Sequence, residues 1–364
     1  MIRKLFLLLI ISSFLITSCN NTSNTKPESE EYFTNPILPS GFNCQATFFD
    51  GKYYYTQETG DVILLWETED ITNLSEAKCK EIWNPKEEKE GKHNLWSPQI
   101  HRINDKWYIY YSADDGNTDN HQIYVLENVS QSPMDGEFRQ KGPIKTNEEC
   151  NWGIHASTFI HNNTQYLIWS GWPKRRIVEE TQCIYIASMK NPWTLSSNRV
   201  MISKPEYSWE RQWINPDGSR TAYPIYVNEA PTFFKSQDGD KLCIYYSASG
   251  CWTPYYCIGM LQCNSDSNLL DSLSWNKNHE PVFYLSETDS IYGPGHISFI
   301  PSPDNTEWYM LYHARSVPNG NVGGVELRSP RLQKISWDKN GMPVLGKPIK
   351  NKVKIKKPSR QDFT

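Results

Sequence analysis

Five aromatic, strand-like runs recur along this chain, each follows a turn rich in Gly, Asn or Asp, and no long stretch shows helical apolar periodicity. Together these predict an all-β fold, a five-bladed β-propeller, because several short strands repeated every ~55 to ~75 residues are what propeller blades require. A β-sandwich is the alternative with the same strand content. Length alone leaves open two average domains or one large all-β domain. An aromatic share of 13%, with 14 Trp and 21 Tyr, favours strands and supplies flat faces that stack on sugars.

In chain order, Arg3 and Lys4 precede an apolar run over residues 5–16, too short to span a membrane as a mature helix and flanked as a secretory signal is. The run ends in Ile16-Thr17-Ser18-Cys19, which resembles the lipobox of bacterial lipoproteins and implies Cys19 as the lipidated first mature residue. Residues 1–18 are thus expected to be removed. Residues 19–34, polar and without apolar period, read as a tether, and residues 35–364 as the folded domain. The expected location is the bacterial cell envelope, periplasmic or on the outer-membrane surface, with the lipid anchor as the only membrane contact. Residues 1–18 carry two of the 37 basic residues, so 35 basic face 41 acidic residues in the mature chain, a net charge of about −6. Nucleic acid is excluded as a partner on this balance, since phosphate binding needs clustered Lys and Arg. Eight cysteines follow Cys19, in a spacing that fits no zinc pattern; disulfides and free buried thiols both remain open.

The aromatic runs are Lys52-Tyr53-Tyr54-Tyr55-Thr56, Lys106-Trp107-Tyr108-Ile109-Tyr110-Tyr111-Ser112, Gln165-Tyr166-Leu167-Ile168-Trp169-Ser170, Lys241-Leu242-Cys243-Ile244-Tyr245-Tyr246-Ser247 and Glu307-Trp308-Tyr309-Met310-Leu311-Tyr312-His313. Asp50-Gly51, Asn104-Asp105, Asn162-Asn163, Asp238-Gly239 and Asp304-Asn305 precede them as hairpin turns that tolerate positive φ. A short apolar strand precedes each turn, at residues 46–49, 99–103, 157–160, 232–235 and 297–300. In a propeller such first strands line the axis, so their entries converge at one end. The entries are Asn43-Cys44-Gln45, Trp96-Ser97-Pro98, His155-Ala156-Ser157, Asn228-Glu229-Ala230 and Gly295-His296-Ile297, and their polar groups would share one small-ligand pocket.

At these residues the chain resembles glycoside hydrolase family 43, in its exo-acting α-L-arabinofuranosidase-like branch, over essentially all of residues 35–350. The matching pieces include Asn35-Pro36-Ile37-Leu38 with Gly41, Trp96-Ser97-Pro98-Gln99-Ile100, Trp169-Ser170-Gly171-Trp172, Asn191-Pro192-Trp193, Val227-Asn228-Glu229 and Tyr292-Gly293-Pro294-Gly295-His296. The resemblance implies the same propeller and inverting hydrolysis of an oligosaccharide or polysaccharide by three carboxylates: an Asp base, a Glu acid, and an Asp that orients the acid. Glu229 matches the acid.

The other two positions depart from the family pattern. Gly41-Phe42-Asn43-Cys44 stands where the family has Gly-Ala-Asp-Pro, which places Asn43 at the base. Trp152-Gly153-Ile154-His155-Ala156 stands where it has Trp-Ala-Ile-Asp-Gly, which places His155 at the orienting carboxylate. Either the enzyme works with a relocated base, His155 or a carboxylate such as Asp114, Asp115 or Glu58, or the pocket is a catalytically inactive surface glycan-binding site. Different chemistry on the scaffold, such as assistance by the substrate's own group, is a third reading.

Trp96, Trp169, Trp172 and Trp252 are the candidates for sugar stacking, and Arg328 matches an arginine that reaches the pocket from the last blade in the family. Trp66-Glu67 stands where relatives often have Trp-Arg. His296 matches a histidine that in the family sits on the propeller axis and often faces a water-surrounded Ca²⁺ or similar ion, although an imidazole is weak evidence for an ion that prefers oxygen, and a hydrogen-bonded core histidine is the other reading. No cofactor is required by the expected chemistry.

Overall fold

The computed structural model describes residues 31–177, 179–319 and 326–360, so Cys19, the signal segment and most of the tether lie outside the described residues. The all-β expectation holds: the described helical elements are 3₁₀ segments of three to six residues in connections. No described helix is long and apolar enough to cross a membrane.

The strands form successive antiparallel meanders. The first is Gln45–Phe49, Lys52–Thr59, Val62–Thr68 and Lys78–Trp83; the second is His93–Ile103, Lys106–Asp114, Gln122–Asn128 and Arg139–Pro143. The third is Gly153–His161, Thr164–Gly171, Glu180–Asn191 and Val200–Ser203, and the fourth Ile225–Lys235, Lys241–Ala248, Cys257–Asn264 and Asn276–Lys277. Tyr292–Pro301, Trp308–Arg315 and Ser329–Lys334 make the last. A short parallel contact, Glu180 to Gln182 against Ile225 to Val227, joins the third to the fourth.

Local chemistry accounts for the hairpins. Asp50-Gly51, Asn104-Asp105 and Asn162-Asn163 close two-residue turns with both φ positive, the geometry that matches strand twist and that Asn, Asp and Gly adopt at least cost. The aromatic runs are the second strands. They are nearly continuous in apolar residues because both faces are covered: Trp107, Ile109 and Tyr111 pack toward the first meander, Tyr108 and Tyr110 toward the third. Every consecutive pair of meanders shares such a cluster, and a further one joins Ile300, Tyr309, Leu311 and Leu332 of the last to Ala46, Tyr53 and Tyr55 of the first.

The N-terminal stretch of the domain lies along the outer strand of the last meander. Asn35 is buried and bonds Leu332 twice, its Nδ2 donating to the Leu332 carbonyl (3.0 Å) and its Oδ1 accepting from the Leu332 amide (2.9 Å). The amides of Ile37 and Gly41 donate to the carbonyls of Pro330 and Arg328. Tyr32–Phe33 pairs with Ile355–Lys356, bringing the two ends of the described chain together.

The first strands extend further back than their apolar patterns suggest, beginning at His93, Gly153, Ile225 and Tyr292. The reason is a register break in each, at Trp96/Gln99, Ile154/Ser157, Glu229/Thr232 and Gly295/Ser298, which interrupts the two-residue alternation. At each break a non-glycine residue holds positive φ: Ser97 (56°), His155 (55°), Ala230 (50°) and His296 (49°), with Asn43 (55°) at the matching point before Gln45. The eight described cysteines are all free thiols.

Candidate active site

The entries surround a cavity of about 550 Å³ whose wall includes Asn43, His155 and Glu229 with Trp96, Trp152, Trp172, Trp252 and Arg328. Bulges at strand ends turn side chains out of the pleat, which is how residues almost two hundred positions apart come to face one space.

Glu229 is 7% exposed. Its Oε1 accepts a hydrogen bond from the Tyr256 hydroxyl at 2.7 Å, and its Oε2 lies 3.6 Å from His155 Nδ1. Burial raises its carboxyl to about 7 and outweighs the Tyr256 bond and the positive field of Arg328, both of which favour the anion; Glu180 adds to the upward push. The result is a carboxylic acid that holds its proton near neutrality. Gly295 is required beside it, since a Cβ there would lie 2.0 Å from the Tyr256 ring.

Behind Glu229, the Asn228 amide donates to Glu210, a fully buried carboxylate that also accepts from Tyr246 and Lys277 and from the amides of Glu206 and Tyr207. Every partner of this anion is a donor, so it anchors the strand entry without drawing charge into the cavity.

His155 is held by its backbone, whose amide donates to Ser112 Oγ, while Nδ1 has no hydrogen-bond partner. Burial first, then His296, His121 and Arg328, hold its imidazole well below the usual range. A neutral, weakly basic ring beside the acid is badly suited to take a proton from water at neutral pH.

Asn43 donates from Nδ2 to Glu58 Oε1 at 2.5 Å, and the same oxygen accepts from the Ser97 amide at 2.9 Å. Glu58 is buried behind Asn43 and outside the cavity wall. Desolvation raises its carboxyl to about 7 against the donors from Ser97 and Asn43. Asp114 and Asp115 are placed elsewhere: Asp114 is tied to His121 Nδ1, Asn94 and Gly116, and Asp115 caps the exposed loop at Asn117 and Asn120.

Three of the four tryptophans singled out from sequence line the cavity. Trp96 stacks on His121 (3.9 Å between centroids), Trp172 on Trp152 (4.3 Å), and Trp252 donates from Nε1 to the Trp213 carbonyl. Trp169 does not: it is 0% exposed, packed against Tyr185 between the second and third meanders, because strand alternation turns it into the core. Arg328 is held by a two-pronged pair with Glu326 (2.8 and 2.7 Å) and stacks over Phe42. The remaining wall was not anticipated. Glu180 accepts from Trp172 Nε1, Gln182 and Arg176, and Arg176 in turn pairs with Asp119.

His296 is buried at the fifth strand entry. Its Nε2 faces Ser97 Oγ (3.4 Å) and Gln99 Nε2 (3.3 Å), its ring meets His155 edge-on, and burial lowers it to about 3. Among the described residues there is no group of three or more His, Cys, Asp or Glu that could hold a metal ion.

Comparison with known proteins fits this geometry. The family model described as glycosyl hydrolases family 43 matches residues 33–343. The chain belongs to this family. As a family 43 member it is a glycosidase hydrolysing O-glycosyl compounds, on the family's β-propeller. It is 33% identical over 362 residues to an extracellular exo-α-(1→5)-L-arabinofuranosidase of Streptomyces avermitilis, covering 96% of this chain and 71% of that one. A protein of the same description from Streptomyces chartreusis is 32% identical over 317 residues, covering 86% and 91%. The crystal structure of an α-L-arabinofuranosidase from Lactobacillus brevis superposes with a TM-score of 0.78 at 28% identity, over 88% of this chain and 98% of that one. The family 43 resemblance seen in the sequence is therefore established.

Proposed function

We propose that the protein is an exo-acting, inverting α-L-arabinofuranosidase built on a closed five-bladed propeller, with Glu229 as the general acid. The observation that carries this is Glu229 itself: a buried carboxyl in a tryptophan-walled cavity, held in place by Tyr256 and protonated near neutral pH. Relatives described as arabinofuranosidases support the sugar, and the cluster joining the last meander to the first supports closure of the ring. The cavity has room for a terminal furanose, and stacking on Trp172 or Trp252 would hold its apolar face while Arg328 and Glu180 bond its hydroxyls.

In the reaction the glycosidic oxygen takes the Glu229 proton as its bond to the anomeric carbon breaks, and a water attacks from the opposite face. Tyr256 steadies the carboxylate that is left. His155 acts on the acid and not on the water, because it sits 3.6 Å from Glu229 and is kept neutral by burial. The substrate is a terminal residue of an oligosaccharide or polysaccharide met outside the cytoplasm, with Cys19 lipid as the anchor; Cys19→Ala should release the protein from the membrane fraction.

Hydrolysis of aryl α-L-arabinofuranosides and of arabino-oligosaccharides by the protein and by Glu229→Gln tests the reading. Loss of 10²-fold or more in kcat for the variant supports it. A second reading, a glycan-binding lipoprotein, is favoured by Asn43 and His155 standing where carboxylates are expected. Zero turnover by both proteins together with retained sugar binding would establish that reading and overturn the first.

A further inference from the structure

We propose that Glu58, acting through the side-chain amide of Asn43, is the proton acceptor that replaces the missing base. The inference rests on the glycosidase reading above, since it supplies that reaction with the one group it lacks.

Three observations carry it. The first is connectivity: Asn43 lines the cavity, Glu58 lies directly behind it, and the two are joined by a 2.5 Å bond from Nδ2 to Oε1. An ionised carboxylate can only accept, so the amide is obliged to present its NH₂ to Glu58, which leaves Oδ1 as the acceptor that Asn43 can offer to a water. The second is that this carboxylate is otherwise unexplained. Glu58 is 4% exposed, feels the positive charge of Arg328 but makes no ion pair among the described residues, and its Oε2 is a buried oxygen with no hydrogen bond. Burying a carboxylate in this way is expensive, and a purely structural tie to Asn43 could be made by a glutamine without that cost. The third is competition: His155 sits against the acid, and Asp114 and Asp115 are engaged outside the cavity wall. Of the carboxylates weighed as substitutes, Glu58 alone touches the residue at the base position. Burial raises its carboxyl to about 7, which suits proton acceptance near neutral pH.

The relay balances. As the glycosidic bond breaks and Glu229 gives its proton to the leaving oxygen, the oxygen of the attacking water bonds to the anomeric carbon. One proton of that water passes to Asn43 Oδ1, and one Nδ2 proton passes to Glu58 Oε1. The amide is left as its imidic acid tautomer, Glu58 neutral and Glu229 anionic. After product leaves, Nδ2 recovers its proton from Glu58, Oδ1 releases one to solvent, and Glu229 takes one up. The protein's charge is unchanged throughout the hydrolytic step, because one buried carboxylate gains the proton the other loses.

The experiment compares Glu58→Gln, the double variant Asn43→Asp/Glu58→Gln and Glu229→Gln on two aryl α-L-arabinofuranosides, one with a good leaving group (2,4-dinitrophenol) and one with a poor one (phenol). Thermal melts establish that each variant is folded. Glu58→Gln keeps a hydrogen-bonding partner for Asn43, so the fold and KM should change little while kcat falls 10²- to 10⁴-fold on both substrates. Glu229→Gln should recover on the good leaving group, which needs no acid; Glu58→Gln should not. The double variant, with a carboxylate placed directly on the cavity wall, should regain at least 10-fold over Glu58→Gln. Glu58→Gln with kcat within threefold of the unmodified protein, alongside a Glu229→Gln that is inactive on the poor leaving group, would overturn the relay and leave the glycosidase reading standing. An unmodified protein that hydrolyses neither substrate would overturn both. If Glu58→Gln loses activity but the double variant stays equally low, Glu58 serves only to shape the pocket and the relay is again overturned.

Discussion

Removing one oxygen, by Tyr256→Phe, tests how the acid is tuned. The Tyr256 hydroxyl donates to Glu229 Oε1 at 2.7 Å, and this bond favours the anion against the burial that favours the neutral acid. The phenylalanine ring keeps the contact with His313, on which Tyr256 stacks at 5.7 Å, and keeps the close approach to Gly295, so the perturbation is confined to the bond. A hydrogen bond to a charged group contributes about 1.5–3 kcal/mol, and each pKa unit corresponds to about 1.4 kcal/mol. The Glu229 carboxyl should therefore rise from about 7 by roughly one to two pH units. Because the acid must be protonated to act, activity is lost as pH rises through this value, and the alkaline limb of kcat/KM should move upward by the same amount. Near pH 7 the gain in protonated acid is less than twofold, since about half is protonated already, and a weaker acid donates more slowly, so the rate at the optimum should fall. The assay is the pH profile of kcat/KM from pH 5 to 9 on an aryl α-L-arabinofuranoside with a poor leaving group. An alkaline limb that stays in place, or moves down, would show that Tyr256 does not control this carboxyl.

In the unmodified protein the same profile should be a narrow bell around pH 7, because Glu229 must be protonated and Glu58 ionised and both lie at about 7; a broad plateau from pH 5 to 9 would contradict this. Stability should fall on acidification below pH 6.5. Burial holds the rings of His101, His121, His155, His296 and His313 below the ordinary histidine value, so the unfolded chain binds more protons, and each ring removes up to about 1.4 kcal/mol per pH unit. Glu58 and Glu229, raised by burial, act with the opposite sign between about pH 7 and 4.5, leaving a net loss of up to three groups' worth, about 4 kcal/mol per unit, readable as a falling denaturation midpoint. Asn35→Ala should lower stability by about 2–4 kcal/mol in urea unfolding, because it strands the amide and the carbonyl of buried Leu332. Trp252→Ala should raise KM about 3- to 10-fold with little change in kcat, as expected for one lost stacking face.

The parts of this molecule that can be read from sequence are those whose cause is local. The continuous aromatic runs register strands covered on both faces, and Asp50-Gly51, Asn104-Asp105 and Asn162-Asn163 carry their own backbone geometry. The strand entries were legible too, since each comes just before a short apolar strand that leads into a recognisable turn. The earlier starts of those strands were not, because the register breaks scramble the two-residue pattern that would have revealed them. Tyr256, Glu180, Arg176 and Asp119 were hidden for a different reason: they come from later strands and loops, and only the packed fold decides which of them turn inward. Trp169 shows the converse, a tryptophan in a family-matching motif that alternation sends into the core. Glu58 was one of three carboxylates that sequence could not rank, and it is distinguished only by the contact with Asn43.

The positive-φ entries have a consequence for how this pocket can change over time. At Asn43, Ser97, His155, Ala230 and His296 the chain is bent by its own register, so four different residue types occupy five equivalent bends without any of them being needed to form the bend. Foldability and chemistry are thereby separated: an Asp can become an Asn, or a His, at such a position while the surrounding sheets stay as they are. A lineage can discard a catalytic charge at one bend and recruit a carboxylate from the next layer outward, as Glu58 stands behind Asn43, without passing through an unfolded intermediate form.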